Sequence, residues 1–192
     1  MRRSPHVLTL FAVVALAFAA NAPAAAASTV GSTTTVTFSL ASGEKVAAAG
    51  DLKLTIQNFR VDDRSIVLVA RVSGTAVAGP VAATFTNVRI VAAITNLRAD
   101  CAAGTLSFNF RATVPTRGIA VTVAGVPVEV RGALTLRGSV TISTAAIATV
   151  DPELAATVGA LICEIEALLT GGASLDDVVA RLNAVLSNLP LP

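Results

Sequence analysis

The chain of 192 residues contains no tryptophan, no tyrosine and a single histidine, and charged residues make up only 14% of it. The histidine, His6, lies in the segment that we predict is removed on export. What remains therefore lacks the usual general base, the usual partner of a nucleophilic serine and the commonest zinc ligand. It also has no Trp or Tyr to stack on bases, so we expect no nucleic-acid partner.

Motifs that mark phosphate, dinucleotide and nucleophile sites are also missing, since there is no P-loop, no G-x-G-x-x-G and no G-x-S-x-G. Carboxylate pairs do occur, at Asp62 with Asp63, Glu164 with Glu166, and Asp176 with Asp177. They fit a turn, a helix flank and a helix N-terminus, respectively. No D-x-D-x-D-G loop gathers oxygens for calcium. We expect no enzyme, no metal and no cofactor, and a hydrolase that uses carboxylates alone stays as an alternative.

The N-terminus has the three parts of a secretory signal peptide. Arg2 and Arg3 precede an apolar stretch at 7–20, and small residues follow up to Ala27. That stretch is about 14 residues long, short of the roughly 20 that a membrane-spanning helix needs. We therefore predict a signal peptide at 1–27, cleaved near Ala27, and a secreted or cell-envelope protein without a transmembrane segment in its mature chain.

Two cysteines follow this segment, Cys101 and Cys163. In an oxidising compartment one disulfide between them is the expected state, and it closes a loop of about 60 residues. Two cysteines without a nearby histidine make a poor metal site.

Charge divides the mature chain into two parts. Residues 28–150 hold 11 Lys and Arg against 6 Asp and Glu, a net of +5, whereas residues 151–192 hold Arg181 against 6 acids, a net of −5. A split of this kind can mark a nucleic-acid surface. We interpret it instead as an acidic C-terminal part that packs on the basic part of its own chain, which gives one structural unit.

Two hydropathy periods meet near Asp151. Before it, apolar and polar residues alternate, as they do from Thr105 to Val114, and this is typical of strands with one buried face. Strands are predicted at 34–40, 52–61, 65–76, 81–97, 105–114 and 126–143. We expect the fourth of them to break near Ala92 and Ala93.

Local signals refine this β domain at 28–150. Residues 62–64, Asp-Asp-Arg, indicate a hairpin turn, and a change of parity near 57–58 predicts a bulge. The last strand is too long for an ordinary one, so a bend at Gly132 or Gly138, or a split into two strands, is expected. Seven or eight strands with short connections favour an antiparallel sandwich or barrel.

From Asp151 the period becomes 3.6, which predicts a C-terminal pair of amphipathic helices at 151–192. Asp151 is a plausible N-cap with Pro at the next position, and 171–172, Gly-Gly, end the first helix. Ser174 starts the second helix, which closes at Pro190. The first helix has a large-residue face and a small-residue face, and we expect both to pack, the small one against the strand end that carries Cys101.

One tripeptide, Asn then an apolar residue then Arg, uses every asparagine between residues 28 and 150. It occurs as Asn58-Phe59-Arg60, Asn87-Val88-Arg89, Asn96-Leu97-Arg98 and Asn109-Phe110-Arg111. In a strand the Asn and the Arg project from one face, so neighbouring copies in register would form a polar ladder of Arg-to-Asn hydrogen bonds. The plain interpretation is a soluble face. The functional one is a strip that recognises an anion such as an envelope glycan or a lipid headgroup.

Two stretches carry a resemblance to an uncharacterised group of secreted bacterial β-rich proteins. They are "LKLTIQNFRVDDRSIVLVARVSG", which looks like the opening hairpin of that group, and "LAATVGALICEIEALLTGG", which looks like its apolar C-terminal helix. The resemblance implies export, a β-rich fold with a Leu-rich helical pair, and group cysteines that match Cys101 and Cys163. It implies no activity.

The sequence thus predicts a non-catalytic secreted or cell-envelope module with an unidentified envelope or extracellular partner. The main alternative is a carrier that holds a lipid-like apolar small molecule in a cavity between sheet and helices.

Overall fold

A computed structural model describes residues 30–40, 43–50 and 52–189. The predicted signal peptide, with its cleavage near Ala27, and Pro190 lie outside these residues. The strands are β1 Val30–Leu40, β2 Lys45–Ala49, β3 Leu52–Asp62, β4 Ser65–Ala78, β5 Val81–Asp100, β6 Thr105–Val114, β7 Ile119–Val123, β8 Val126–Pro127 and β9 Val130–Ser143. The helices are α1 Thr144–Ala148, α2 Pro152–Gly171 and α3 Leu175–Asn188.

The predicted fold class is confirmed: the chain is a mainly antiparallel β protein that ends in helices. Eight strands and the two-residue β8 form one sheet in the order β3-β4-β2-β1-β9-β6-β5-β7-β8. Strand β4 also pairs with β5, while its contact with β2 rests on the single pair Ala49–Val77. Strand β4 thus pairs with β3, with β5 and, at one residue pair, with β2. These pairings bring distant parts of the strand order together, so the sheet is strongly curled.

The inner face of this curled sheet and the helices share one hydrophobic core. Phe59 of β3 and Phe108 of β6 meet edge to face, with ring centroids 5.6 Å apart. The same core includes Ile162 of α2 and Leu182 of α3, both fully buried. Because the helices contribute to the inner-face core, the outer face of the sheet stays free of them.

The predicted turn and bulge in the first hairpin are confirmed. Asp63 and Arg64 join β3 to β4 with positive φ at both positions, as a tight two-residue hairpin turn requires. The register of β3 against β4 shifts between Ile56 and Asn58, which leaves one extra residue in β3. This bulge reconciles the two parities of the strand.

Strand β5 differs from the prediction because it runs unbroken through Ala92 and Ala93. Ala93 pairs with Val67 on one side and with Arg111 on the other. Pairing on both edges outweighs the weak strand preference of alanine.

The long run at 126–143 is divided as expected. Strand β8 is separate, and β9 starts at Val130. Gly132 has a φ of +73°, and the register of β9 against β1 shifts beside it. The bend is therefore at Gly132, where the backbone conformation favours glycine.

The helix ends match the predicted signals. The Asp151 side chain accepts a hydrogen bond from the N–H of Leu154, Gly172 ends α2 in the left-handed conformation, and Ser174 accepts from the N–H of Asp177. The five-residue α1 was not predicted, because a single turn shows no period in the sequence.

The expectation that both faces of α2 pack is confirmed only in part: in the small-residue face, Cys163 is bonded to Cys101 and Gly159 is half-buried near Thr144. The large face of α2 is buried through residues such as Val158 and Ile165, but Ala156, Ala160 and Ala167 are exposed. Among the described helices, α2 is the one long and apolar enough, by length and composition, to cross a membrane, a test that core helices of soluble proteins also pass.

Candidate functional site

The predicted disulfide is confirmed, and it fixes α2 against the end of β5. Cys101 and Cys163 are bonded, with their Cα atoms 4.5 Å apart and 62 positions apart in sequence. Beside the bond, the N–H of Cys101 donates to Oε2 of Glu166 (3.0 Å). The helical part is therefore held at one end of β5, away from the middle of the outer face.

The second attachment of the helices is an amide on α3. The N–H of Phe59 donates to Oδ1 of Asn183 (2.8 Å), and Nδ2 of Asn183 donates to the carbonyl oxygen of Phe59 (2.9 Å). Strand β3 is at one end of the sheet order, so these backbone groups have no strand partner there. Asn183 thus closes the β3 edge as another strand would.

Among the described residues, ion pairs do not supply the attraction between acidic helices and basic sheet that the charge split suggested. Two ion pairs occur among the described residues: Arg60 with Asp62 (3.3 Å) within β3, and Arg181 with Glu164 (2.9 Å) between α3 and α2. Neither joins a helix to a strand. Docking rests on apolar burial, the disulfide and hydrogen bonds to backbone, so the positive charge of the sheet remains at the surface.

The strand registers place several arginines in one row on the outer face. Arg60 is opposite Val67, which is opposite Ala93. Ala93 is opposite Arg111, which is opposite Arg137. Because direct partners in an antiparallel sheet project from the same face, three arginines share a row that crosses five strands.

Other arginines join them on the same face. Arg71 follows Val67 by four residues in β4 and is opposite Arg89 of β5. Arg98 is opposite Ser107, which has the same parity as Arg111 in β6. We call this surface the arginine face and define it as Arg60, Arg71, Arg89, Arg98, Arg111 and Arg137.

The arginine face is electrostatically unbalanced. Within the part of the chain that the structure describes, Arg60 is its one member with an ion pair, and that pair is half exposed. Arg71 and Arg89 face each other directly, as do Arg111 and Arg137. Like charges directly opposite one another destabilise a sheet, so each of these two pairs lowers the stability of the fold.

The tripeptide asparagines share this face but play a backbone role. Asn87 and Asn96 have φ of +52° and +53° and lie where the register of β5 shifts against β4 and β6. Asn58 borders the bulge of β3, whereas Asn109 is in regular strand, opposite Thr95 and Ser139. Three of the four tripeptides therefore mark bulges.

The predicted polar ladder residues are thus brought to one surface, but no Asn is opposite an Arg of another copy. Across residues 30–40, 43–50 and 52–189, no hydrogen bond joins an asparagine to an arginine of the four tripeptides. Two members of the face, Arg71 and Arg137, belong to no tripeptide. Both arginines occupy the polar, solvent-facing positions of predicted strands, and this pattern is the sequence signal that could have placed them on the outer face.

Two of the tripeptides meet in a groove on the outer face. Its volume is about 260 Å³, and its lining residues are Asn96, Arg98, Ser107, Phe108, Asn109, Ser139, Val140 and Thr141. Phe108 and Val140 are buried core residues, so the groove floor is backbone and its walls are polar side chains. The bulge at Asn96 breaks the regular pairing of β5 with β6 beside this groove.

A second cavity, of about 290 Å³, is lined by Thr116, Ile119, Val121, Val128, Glu129, Val130 and Leu134. It lies among β7, β9 and the segment between β8 and β9, and no helix residue lines it. Neither cavity has two carboxylates in its wall. No cluster of three or more metal-ligating side chains occurs in the described ranges.

Comparison of the chain with protein-family models, with curated proteins and with solved structures gives no match.

Proposed function

We propose that this protein is a non-catalytic module, secreted or held in the cell envelope, that binds an anionic polysaccharide through its arginine face. The signal-like N-terminus and the Cys101–Cys163 disulfide support export. The observation that carries the binding role is the pair of directly opposed arginines on adjacent strands, Arg111 with Arg137. A guanidinium binds an oxyanion through two parallel N–H···O bonds, so an anion shared by Arg111 and Arg137 would offset the repulsion between them.

An extended polyanion suits this surface better than a compact ligand does. The row from Arg60 to Arg137 spans four inter-strand steps, which amounts to about 19 Å along the sheet. Phe59, Phe85, Phe108 and Phe110 are buried, so none of these four rings offers a platform for stacked bases. Charge and hydrogen bonding, rather than stacking, are therefore the available means of recognition.

The other predicted roles receive less support from the geometry. A carrier needs an enclosed cavity beside the helices, but the buried residues of α2 and α3 belong to the continuous core. Carboxylate catalysis needs two acids across a cleft. Glu164 is engaged by Arg181, and Glu166 accepts from the backbone of Cys101.

The test is binding of dextran sulfate and unsubstituted dextran of equal length to the mature protein, measured by calorimetry at rising NaCl. We expect sulfated dextran to bind, with affinity that falls as salt rises, and neutral dextran not to bind. The double substitution Arg111→Gln with Arg137→Gln should weaken binding about tenfold or more, because it removes two charge-assisted contacts. It should also raise the free energy of unfolding by roughly 0.2–1 kcal/mol, because it relieves the opposed charges.

The matched control is Lys45→Gln with Arg117→Gln, which removes the same charge from exposed positions outside the arginine face. It should change the affinity by less than about threefold. Equal losses in the two variants would show that only net charge matters and would refute the proposed face. Tighter binding to duplex DNA of similar charge density than to sulfated dextran would replace the polysaccharide with nucleic acid.

A further inference from the structure

The groove between the third and fourth tripeptides differs from the rest of the arginine face in its ratio of charge to neutral polar groups. Arg98 is the only charged residue in its wall. Around it are the amides of Asn96 and Asn109 and the hydroxyls of Ser107 and Thr141. A ligand that matches this wall carries one negative charge and several hydroxyl groups.

The amides in the groove are available to a ligand. Asn96 and Asn109 are exposed, and across the described ranges no hydrogen bond engages their side chains. Each amide offers two donors and an acceptor, which suits the vicinal hydroxyls of a sugar ring. Asn96, which has a left-handed backbone conformation at the bulge, is itself part of the groove wall.

Size and charge geometry narrow the ligand further. The volume of the groove, about 260 Å³, accommodates a single pyranose ring. A guanidinium binds a carboxylate with two parallel N–H···O bonds, and the single charge of a carboxylate matches the single arginine in the groove wall. A densely sulfated sugar, in addition, has few free hydroxyls left for the amides.

We infer that the groove is a subsite for one uronic-acid residue of an extracellular polysaccharide, with its carboxylate on Arg98 and its hydroxyls on Asn96 and Asn109. The inference rests on the proposed function and deepens it, because the groove selects the sugar while the remaining arginines hold the neighbouring anionic residues. Arg111, two positions beyond Asn109, and Arg137, two positions before Ser139, lie on the same face and would meet the next residue of the polymer.

The experiment compares three probes on the mature protein: an oligogalacturonate, its fully methyl-esterified form, and dextran sulfate. The oligogalacturonate should bind, and the ester, which keeps most hydroxyls but loses the charge, should bind at least tenfold more weakly. In a ¹⁵N NMR titration the amide signals of residues 96–98, 107–109 and 139–141 should shift most.

Arg98→Gln and Arg89→Gln form a matched pair, because both arginines end a tripeptide and both lie on the arginine face, but only Arg98 lines the groove. Arg98→Gln should lower the affinity for oligogalacturonate about tenfold or more, and Arg89→Gln less than about threefold. Both should weaken dextran sulfate binding to a similar small extent. Far-UV circular dichroism checks that each variant is folded.

The outcomes separate the subsite from the wider function. If dextran sulfate binds at the arginine face but the oligogalacturonate and its ester bind alike, the uronate subsite is wrong and the proposed function stands. If the two arginine variants lose oligogalacturonate affinity equally, the groove has no special role. If neither polyanion binds at low salt, both proposals fail.

Discussion

Asn87 and Asn96 show why a short polar residue recurs two positions before an arginine. Each occupies the left-handed backbone region at a bulge of β5. Asparagine adopts this region more readily than most residues that carry a side chain. The bulge shifts the side-chain alternation, so that the arginine after it stays on the outer face.

Asn87→Val and Asn109→Val test this interpretation within one motif. A β-branched residue is strained at positive φ, so Asn87→Val should lower the free energy of unfolding by about 1–2 kcal/mol. Asn109 lies in regular, exposed strand, so the same substitution there should be neutral or slightly stabilising. Urea unfolding followed by far-UV circular dichroism suits a chain without Trp or Tyr. Equal losses at both positions would contradict a backbone role.

Strand β3 and helix α3 are joined by an amide that imitates a strand. At the end of a sheet, backbone N–H and C=O groups point outward and invite pairing with another chain. Asn183 satisfies both groups of Phe59, and the buried face of α3 covers the core beside them. The helix thus blocks an edge that would otherwise promote aggregation.

Asn183→Ala removes both hydrogen bonds and leaves the part-buried N–H and C=O of Phe59 unpaired. We expect a loss of about 1–3 kcal/mol in the free energy of unfolding and a greater tendency to aggregate. Asn188→Ala is the control on the same helix, because the Asn188 side chain is exposed and bonds only to the carbonyl of Ala184. A control that loses as much stability as Asn183→Ala would show that the effect comes from the helix and not from the β3 edge.

The molecule divides its surfaces between stability and recognition. The inner face of the sheet, the helices and the disulfide form one stable body, whereas the outer face keeps arginines that oppose one another across adjacent strands. The helices and the disulfide lie away from the middle of that face. A substitution can therefore alter the stability of the fold without altering the binding surface, or the reverse. This separation makes the role of the disulfide testable without loss of the proposed binding surface.

Replacement of Cys101 and Cys163 by Ala opens a cross-link over 62 positions. The chain-entropy model gives a loss of about 4 kcal/mol in the free energy of unfolding. We expect a lower urea midpoint with the native far-UV spectrum retained, because the core that joins sheet and helices does not include the cysteines. Unchanged binding of sulfated dextran by the folded variant is the accompanying expectation, and an unchanged urea midpoint would contradict the account of the disulfide.

The amino-acid order alone determined what is local. Alternation marked most of the strands, though not β2 or β7, while residues 62–64 marked the hairpin turn, Gly132 or Gly138 the bend, and Asp151 the start of α2. Each of these depends on the backbone preferences of a few neighbouring residues, and the two-cysteine pairing followed because only one partner exists. A single turn such as α1 is too short to leave such a signal.

Only the tertiary structure decided which strands are neighbours. The choice of neighbours in turn decided which side chains lie together on the outer face. Alternation assigns a residue to a face but says nothing of what lies across the strand gap. It was the pairing of β6 with β9 that set Arg137 against Arg111, and the pairing of β4 with β5 that set Arg71 against Arg89. The arginine face forms because backbone hydrogen bonds bring together residues that are far apart in sequence. Such bonds do not depend on the identity of the side chains, so the sequence pattern does not reveal them.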